Sequence, residues 1–237
     1  KFYIYGQVLN KKFQALFKNN NKNLEFKILN TGINAKFNID EQNLNDFVIG
    51  SSQISLLKNF LKFNFKLHND QIKISNSNFR NKNLSFSLDS TIKFKPFFSS
   101  NSSIVINKIN KRIVDKLSLN KILESKKILR KINSELDIKY KNKKYFINSV
   151  ENFSSNFSLA YGRLSFFTKT KITGGTIECR GESSLIDQYP RLNFNCFIYL
   201  KDKIRFLKKF SVSKKNITND PVNLNIVGSF NLFNKKI

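Results

Sequence analysis

A chain of 237 residues with 40% apolar content is long enough to bury one large β core or two small ones. Its single histidine excludes a multi-histidine metal site, and two cysteines are too few for a disulfide-built scaffold. The net charge of +26, from 42 basic and 16 acidic residues, suggests anionic partners such as nucleic acid or anionic lipid.

A bland source of that charge competes with a functional one. Lys, Asn, Ile and Phe dominate the chain, and their codons are rich in A and T. Arg is scarce beside Lys, whereas base readers favour the bidentate Arg fork. The cations are also scattered, so nucleic acid is not the expected partner. Met is absent, and Lys1 opens directly into the strand-like run Phe2-Tyr3-Ile4-Tyr5. Asn231-Leu232-Phe233 ends in mid-pattern. An internal fragment of a longer protein is therefore expected. No apolar run reaches the ~18 residues of a membrane-spanning helix.

Taken in chain order, the elements are dominated by period-2 alternation. Leu61-Lys62-Phe63-Asn64-Phe65-Lys66-Leu67 is apolar on one face and Lys/Asn on the other. Ile72 and Ile74 continue the pattern after the turn His68-Asn69-Asp70. Leu84, Phe86 and Leu88 form another run, followed by Ile92 and Phe94 after Asp89-Ser90. Strand spacing then gives way to apolar residues at Leu119, Ile122, Leu123, Leu129 and Ile132, which is helical spacing. Ser118 or Asn120 is placed to cap this helix. A shorter helix over Lys108–Lys116 would precede it.

Alternation resumes with Leu136, Ile138 and Tyr140, and with Phe157, Leu159 and Tyr161. The longest run is Leu192, Phe194, Cys196, Ile198 and Leu200. A short helix is expected from Lys203 to Phe210. Val222, Leu224, Ile226, Gly228 and Phe230 close the set. Asn/Asp/Ser/Gly clusters of two to five residues separate the runs and read as hairpin connections. Gly174-Gly175 and Arg180-Gly181-Glu182 read as tight turns or bulges.

The expected fold is mainly β. It is a long antiparallel meander, curved and able to form a groove, with one main helix and one or two short ones. Three regions follow, at 1–106, 107–134 (the helical insertion) and 135–237, in one continuous domain.

The residues offer little chemistry. His68 lies in an expected turn and reads as a solvated residue. Cys179 and Cys196 lack the second CxxC or paired His of a zinc site, and nothing orients a Cys-His nucleophile. Two cysteines permit one disulfide, but within strands the default is a small buried hydrophobe. The carboxylates Asp40, Glu41, Asp46, Asp89, Asp187, Asp202 and Asp220 mostly neighbour turns and show no paired spacing. No phosphate-binding glycine loop precedes a helix. No cofactor and no enzymatic activity are expected.

The second half resembles the AsmA-like (AsmA/TamB-type) family of Gram-negative envelope proteins. The resemblance is carried by Tyr161-Gly162-Arg163-Leu164-Ser165-Phe166 and by the glycine-turn step Ile172-Thr173-Gly174-Gly175-Thr176-Ile177-Glu178-Cys179-Arg180-Gly181. Tyr189-Pro190-Arg191-Leu192-Asn193-Phe194, Leu207-Lys208-Lys209-Phe210 and Val222 to Leu232 continue it. It extends more loosely over Gly6-Gln7-Val8-Leu9 and Leu56 to Leu88.

The resemblance implies a periplasmic, β-rich body tethered to the inner membrane by an anchor outside this sequence. It also implies phospholipid as the partner, passed toward the outer membrane, with other envelope proteins as further partners. On that reading the groove would be lined by Leu61, Phe63, Phe65, Leu67, Leu84, Phe86, Leu88, Leu192, Phe194, Cys196, Ile198, Leu200, Leu224 and Ile226. The alternative is an assembly factor for the outer membrane in which the same sheet face is fully packed. A basic nucleic-acid-binding protein is the third reading.

Overall fold

The computed structural model describes residues 1–8, 11–18, 22–43, 47–56, 59–110, 123, 126–140, 150–209 and 218–233. It is mainly β, as the alternation demands. The chain divides into two compact units, Lys1–Pro96 and Phe97–Ile237. The sequence reading put its region bounds at 106 and 134 instead.

The first unit holds β1 (Phe2–Val8), β2 (Lys11–Lys18), β3 (Asn23–Ile28), β4 (Ile33–Asn43), β5 (Phe47–Leu56), β6 (Asn59–His68), β7 (Gln71–Arg80) and β8 (Leu84–Lys93). Each pairs antiparallel with the next. Asp89-Ser90, expected as a separator, lies inside β8.

The second unit holds β9 (Phe98–Ile109), β10 (Ile132–Tyr140), β11 (Val150–Ala160), β12 (Arg163–Ile172), β13 (Gly175–Ser184), β14 (Arg191–Leu200) and β15 (Val222–Asn231). Its two described helices are α1 (Lys126–Leu129) and α2 (Lys203–Lys208).

One pairing departs from the expected antiparallel meander. β9 and β10 are parallel, with Ile104 opposite Ile138 and Ile106 opposite Tyr140. A parallel pair needs a crossover of about a dozen residues or more, and the segment between Ile109 and Ile132 supplies it. The helix expected over Leu119–Ile132 is described only at Leu123 and Lys126–Leu129, and it ends sooner than expected. Arg130 and Lys131 turn, and Ile132 already opens β10, because its apolar side chain is shared with the sheet pattern. Of the short helix expected over Lys108–Lys116, Lys108 and Ile109 belong to β9, and residues 111–116 lie outside the described residues. α2 falls where expected; Phe210 is outside the described residues.

Turn chemistry explains the tight connections. Tyr161 and Gly162 form a two-residue loop with φ of +50° and +87°, the left-handed pair that matches strand twist in a hairpin. Tyr161 therefore leaves the β11 face on which Phe157 and Leu159 lie. Gly174 has φ +86°, and a Cβ there would stand 2.3 Å from the Asp202 carbonyl oxygen. That close approach lets the Asp202 amide donate to the Gly174 carbonyl at 2.9 Å. The Asp202 carboxylate in turn caps α2 by accepting from the Arg205 amide at 2.9 Å.

Gly181 is not in a turn. It sits inside β13 directly opposite Phe166, and the same arrangement occurs four times. Gly6 faces Phe13, Gly50 faces Phe65 and Gly228 faces Phe194. A Cβ built on any of these glycines would lie 2.5–2.9 Å from the opposed ring. Each phenyl thus lies over bare backbone, replacing the contacts the glycine lacks. Half of the chain's eight glycines serve this purpose.

The glycines differ in tolerance. At Gly50 a Cβ would also meet the Asn38 carbonyl oxygen at 2.1 Å, and backbone cannot swing away. At Gly228 only the Phe194 ring obstructs. Gly50→Ala is expected to cost about 2–3 kcal/mol and Gly228→Ala less than about 1.5 kcal/mol, within the range of overpacking. Urea unfolding of the two variants measures the difference, and equal costs would refute the backbone argument.

Candidate functional site: the apolar sheet face

Register converts the alternating sequence runs into a continuous face in each unit. In the first, Phe37, Ser52 and Phe63 fall in one row, and Leu61, Phe79 and Phe86 in another. Leu61, Phe63, Phe65, Leu67, Leu84, Phe86 and Leu88 therefore share one side of the sheet. Phe63 and Phe65 are buried, Leu61, Leu84, Phe86 and Leu88 are half-buried, and Leu67 is exposed. Rings stack across strands on this side, Phe2 on Phe17 at 4.5 Å and Phe79 on Phe86 at 4.9 Å between centroids.

The opposite side carries Lys12, Lys18, Lys27, Lys36, Lys62, Lys66, Lys73 and Lys93. Lys18 donates to Glu25 at 3.0 Å. That hydrogen bond, aided by the charges of Lys18, Lys36 and Lys27, holds the Glu25 carboxyl below its usual range against the opposing effect of burial.

In the second unit, Leu136, Phe157, Phe166, Gly181, Phe194 and Gly228 form one row across six strands. The adjacent row runs Ser134, Leu159, Leu164 on β10 to β12. Leu192, Phe194, Cys196, Ile198, Leu200, Leu224 and Ile226 all lie on this side. Their cover varies. Leu200 is buried, Leu192, Phe194, Cys196 and Ile198 are half-buried, and Leu224 and Ile226 are 47% and 46% exposed.

The cover at one end has a definite composition. Leu123, Leu129, Leu185 and Leu232 form a buried cluster against which Leu159, Leu164, Ile186, Leu192 and Phe230 pack. Beneath it lies a cavity of about 450 Å³. Among the described residues, every lining residue is Leu or Phe except Ser134, whose hydroxyl lies 2.8 Å from that of Ser100. Ser183, opposite Leu164, is 6% exposed, and among the described residues its Oγ has no partner.

Cys179 and Cys196 do not behave as separate buried hydrophobes. They are directly opposed in register, with Cα atoms 4.1 Å apart, and form a disulfide on the apolar face. Both sulfurs point to the same side of neighbouring strands, which the spacing of 17 residues does not reveal by itself.

The polar side of this unit is mixed in charge. Lys169 pairs with Glu178 at 2.6 Å and Lys171 with Glu151 at 3.2 Å. Ser158 donates to Glu135 at 2.6 Å and Asn156 to Asp137 at 2.9 Å. His68 ends β6 and is exposed, beside the Asn69-Asp70 turn. Among the described residues, no cluster of three or more His, Cys, Asp or Glu is arranged to hold a metal ion.

Two features were missed in sequence. The glycine–phenylalanine pairs have a signal only once register is known. The apolar cavity has none, since Leu123, Leu185 and Leu232 lie far apart in the chain and outside the strands. The chain matches no family model, and no curated protein or solved structure matches it.

Proposed function

We propose that this chain is part of a non-enzymatic, AsmA-like envelope protein that binds or conducts phospholipid between the inner and outer membranes. The periplasm is its compartment, and its membrane anchor lies outside this sequence. One observation carries the reading: the alternating runs of each unit bring most of their apolar positions to one sheet side, and part of that side remains exposed at Leu67, Leu224 and Ile226. Acyl chains are suited to such a surface because every methylene removed from water contributes about 0.8 kcal/mol. Phenyl rings lying over Gly181 and Gly228 make the strip smooth, without side-chain ridges that would interrupt a chain.

The Cys179–Cys196 disulfide supports an oxidising compartment. In the first unit the Phe2–Phe17 and Phe79–Phe86 stacks lie on the side away from the lysines, whereas Tyr3 stacks on Tyr5 and Lys66 lies over the Phe47 ring on the lysine side. Rings and cations on one side are what a single-strand nucleic-acid platform uses, so this second side supports the nucleic-acid reading and the first supports lipid. The packed assembly-factor reading draws support from the leucine cluster over Leu192.

Photo-crosslinking side chains at Phe194, Ile198 and Ile226 test the proposal. The expected result is capture of phospholipid in cells at these positions and none at Asn195, on the polar side. A folded, abundant protein that captures no lipid would transfer the case to the packed scaffold.

A further inference from the structure

We infer that the leucine-capped cavity of the second unit is a distinct binding site for one long acyl chain with an anionic head, specifically a free long-chain fatty acid. This inference rests on the lipid-binding reading and narrows it. An engineered cavity of about 150 Å³ accepts one benzene. The cavity here, at about 450 Å³, is three times larger. Three benzene equivalents are about eighteen carbons, which is one acyl chain and not two. The lining of Leu129, Leu136, Phe157, Leu159, Leu164 and Phe166 offers such a chain only hydrocarbon contact.

The charge of the segment that carries the lining residue Leu129 selects the head. Leu129 reaches the lining from a segment, Lys126–Lys131, that holds four cations in six residues and no acid. Lys126 donates to the Asp187 carbonyl at 2.7 Å. Lys127, Arg130 and Lys131 are exposed, and among the described residues none of them is in an ion pair. A carboxylate at the cavity rim would meet these cations while its chain displaced water from the leucines.

The test titrates the intact chain with saturated fatty acids of ten to twenty-two carbons, following displacement of a fluorescent polyene fatty acid. Binding of one molecule per chain is expected, with affinity rising roughly tenfold per added pair of methylenes up to about eighteen carbons and no further. A steady rise beyond that length, or two molecules bound, would overturn the single-chain assignment.

Leu136→Trp fills the cavity and should lower palmitate affinity at least tenfold. Because that variant can fail to fold, the exposed pair Lys127→Glu/Arg130→Glu provides a second reading. It should weaken palmitate at least fivefold and leave 1-hexadecanol unchanged, and equal losses for acid and alcohol would refute the head-group assignment. Binding of a lysophospholipid without palmitate would refute the fatty-acid assignment. If palmitate fails to bind while phospholipid still crosslinks at Ile226, the cavity inference falls and the proposed function stands. If both fail, both fall.

Discussion

Leu185→Asp is expected to unfold the second unit, whereas the same charge at Ile226 leaves it folded. Leu185 is 6% exposed and belongs to the leucine cluster that closes one end of the apolar side. The described side chains that pack in this cluster are Leu, Ile and Phe, and the Lys126 ammonium is already engaged by the Asp187 carbonyl, so an aspartate would be a buried charge without a built partner. The cost is roughly 3–5 kcal/mol, which reaches the lower end of a domain's stability, about 5–15 kcal/mol.

Ile226 sits on the same side of the sheet, opposite Cys196, but is 46% exposed. A carboxylate there stays hydrated and should cost less than about 1 kcal/mol. It should nevertheless reduce co-purifying phospholipid. Circular dichroism with thermal scans reads the first effect and lipid extraction the second. If Ile226→Asp also unfolds the unit, its side of the sheet is covered in solution and the lipid surface is lost as an explanation.

Removing the disulfide should destabilise the β13–β14 region by about 2–4 kcal/mol. The bond joins residues 17 apart, and closing a loop of about fifteen residues restricts the unfolded chain by about 3 kcal/mol in the entropic account. The Cys179→Ala/Cys196→Ala pair should therefore lower amide-exchange protection across β12 to β15. Reducing the wild-type protein with dithiothreitol should produce the same change. Unchanged protection in both would mean that the two thiols do not stabilise this sheet.

Much of the fold was legible because a strand declares itself by local alternation. Leu61 to Leu67 and Leu192 to Leu200 needed no partner to assign their apolar side, since successive side chains must point oppositely. Once the strands pair in chain order, register carries that side from one run to the next. The short turns were equally readable at Gly174, where left-handed backbone favours glycine.

The misreadings arose where a residue's role depends on what lies opposite it. Arg180-Gly181-Glu182 resembles a turn locally, yet Gly181 is mid-strand because the Phe166 ring covers it. Cys179 and Cys196 each read as an ordinary core residue until register set them face to face. The parallel β9–β10 pair likewise followed from the crossover connection and not from any strand's own pattern.

By itself, then, the sequence determined that this chain forms sheets with one mainly apolar and one mainly polar side, because period-2 patterning is a property of each strand alone. Only the tertiary structure decided which part of the apolar side is covered. Leu123, Leu129, Leu185 and Leu232 come from separate helical and loop segments and converge over Leu159, Leu164 and Leu192, while Leu224 and Ile226 keep nearly half their surface in water. Cover depends on contacts between segments distant in the chain, and hydrophobic burial has no directional signature that a local pattern can record.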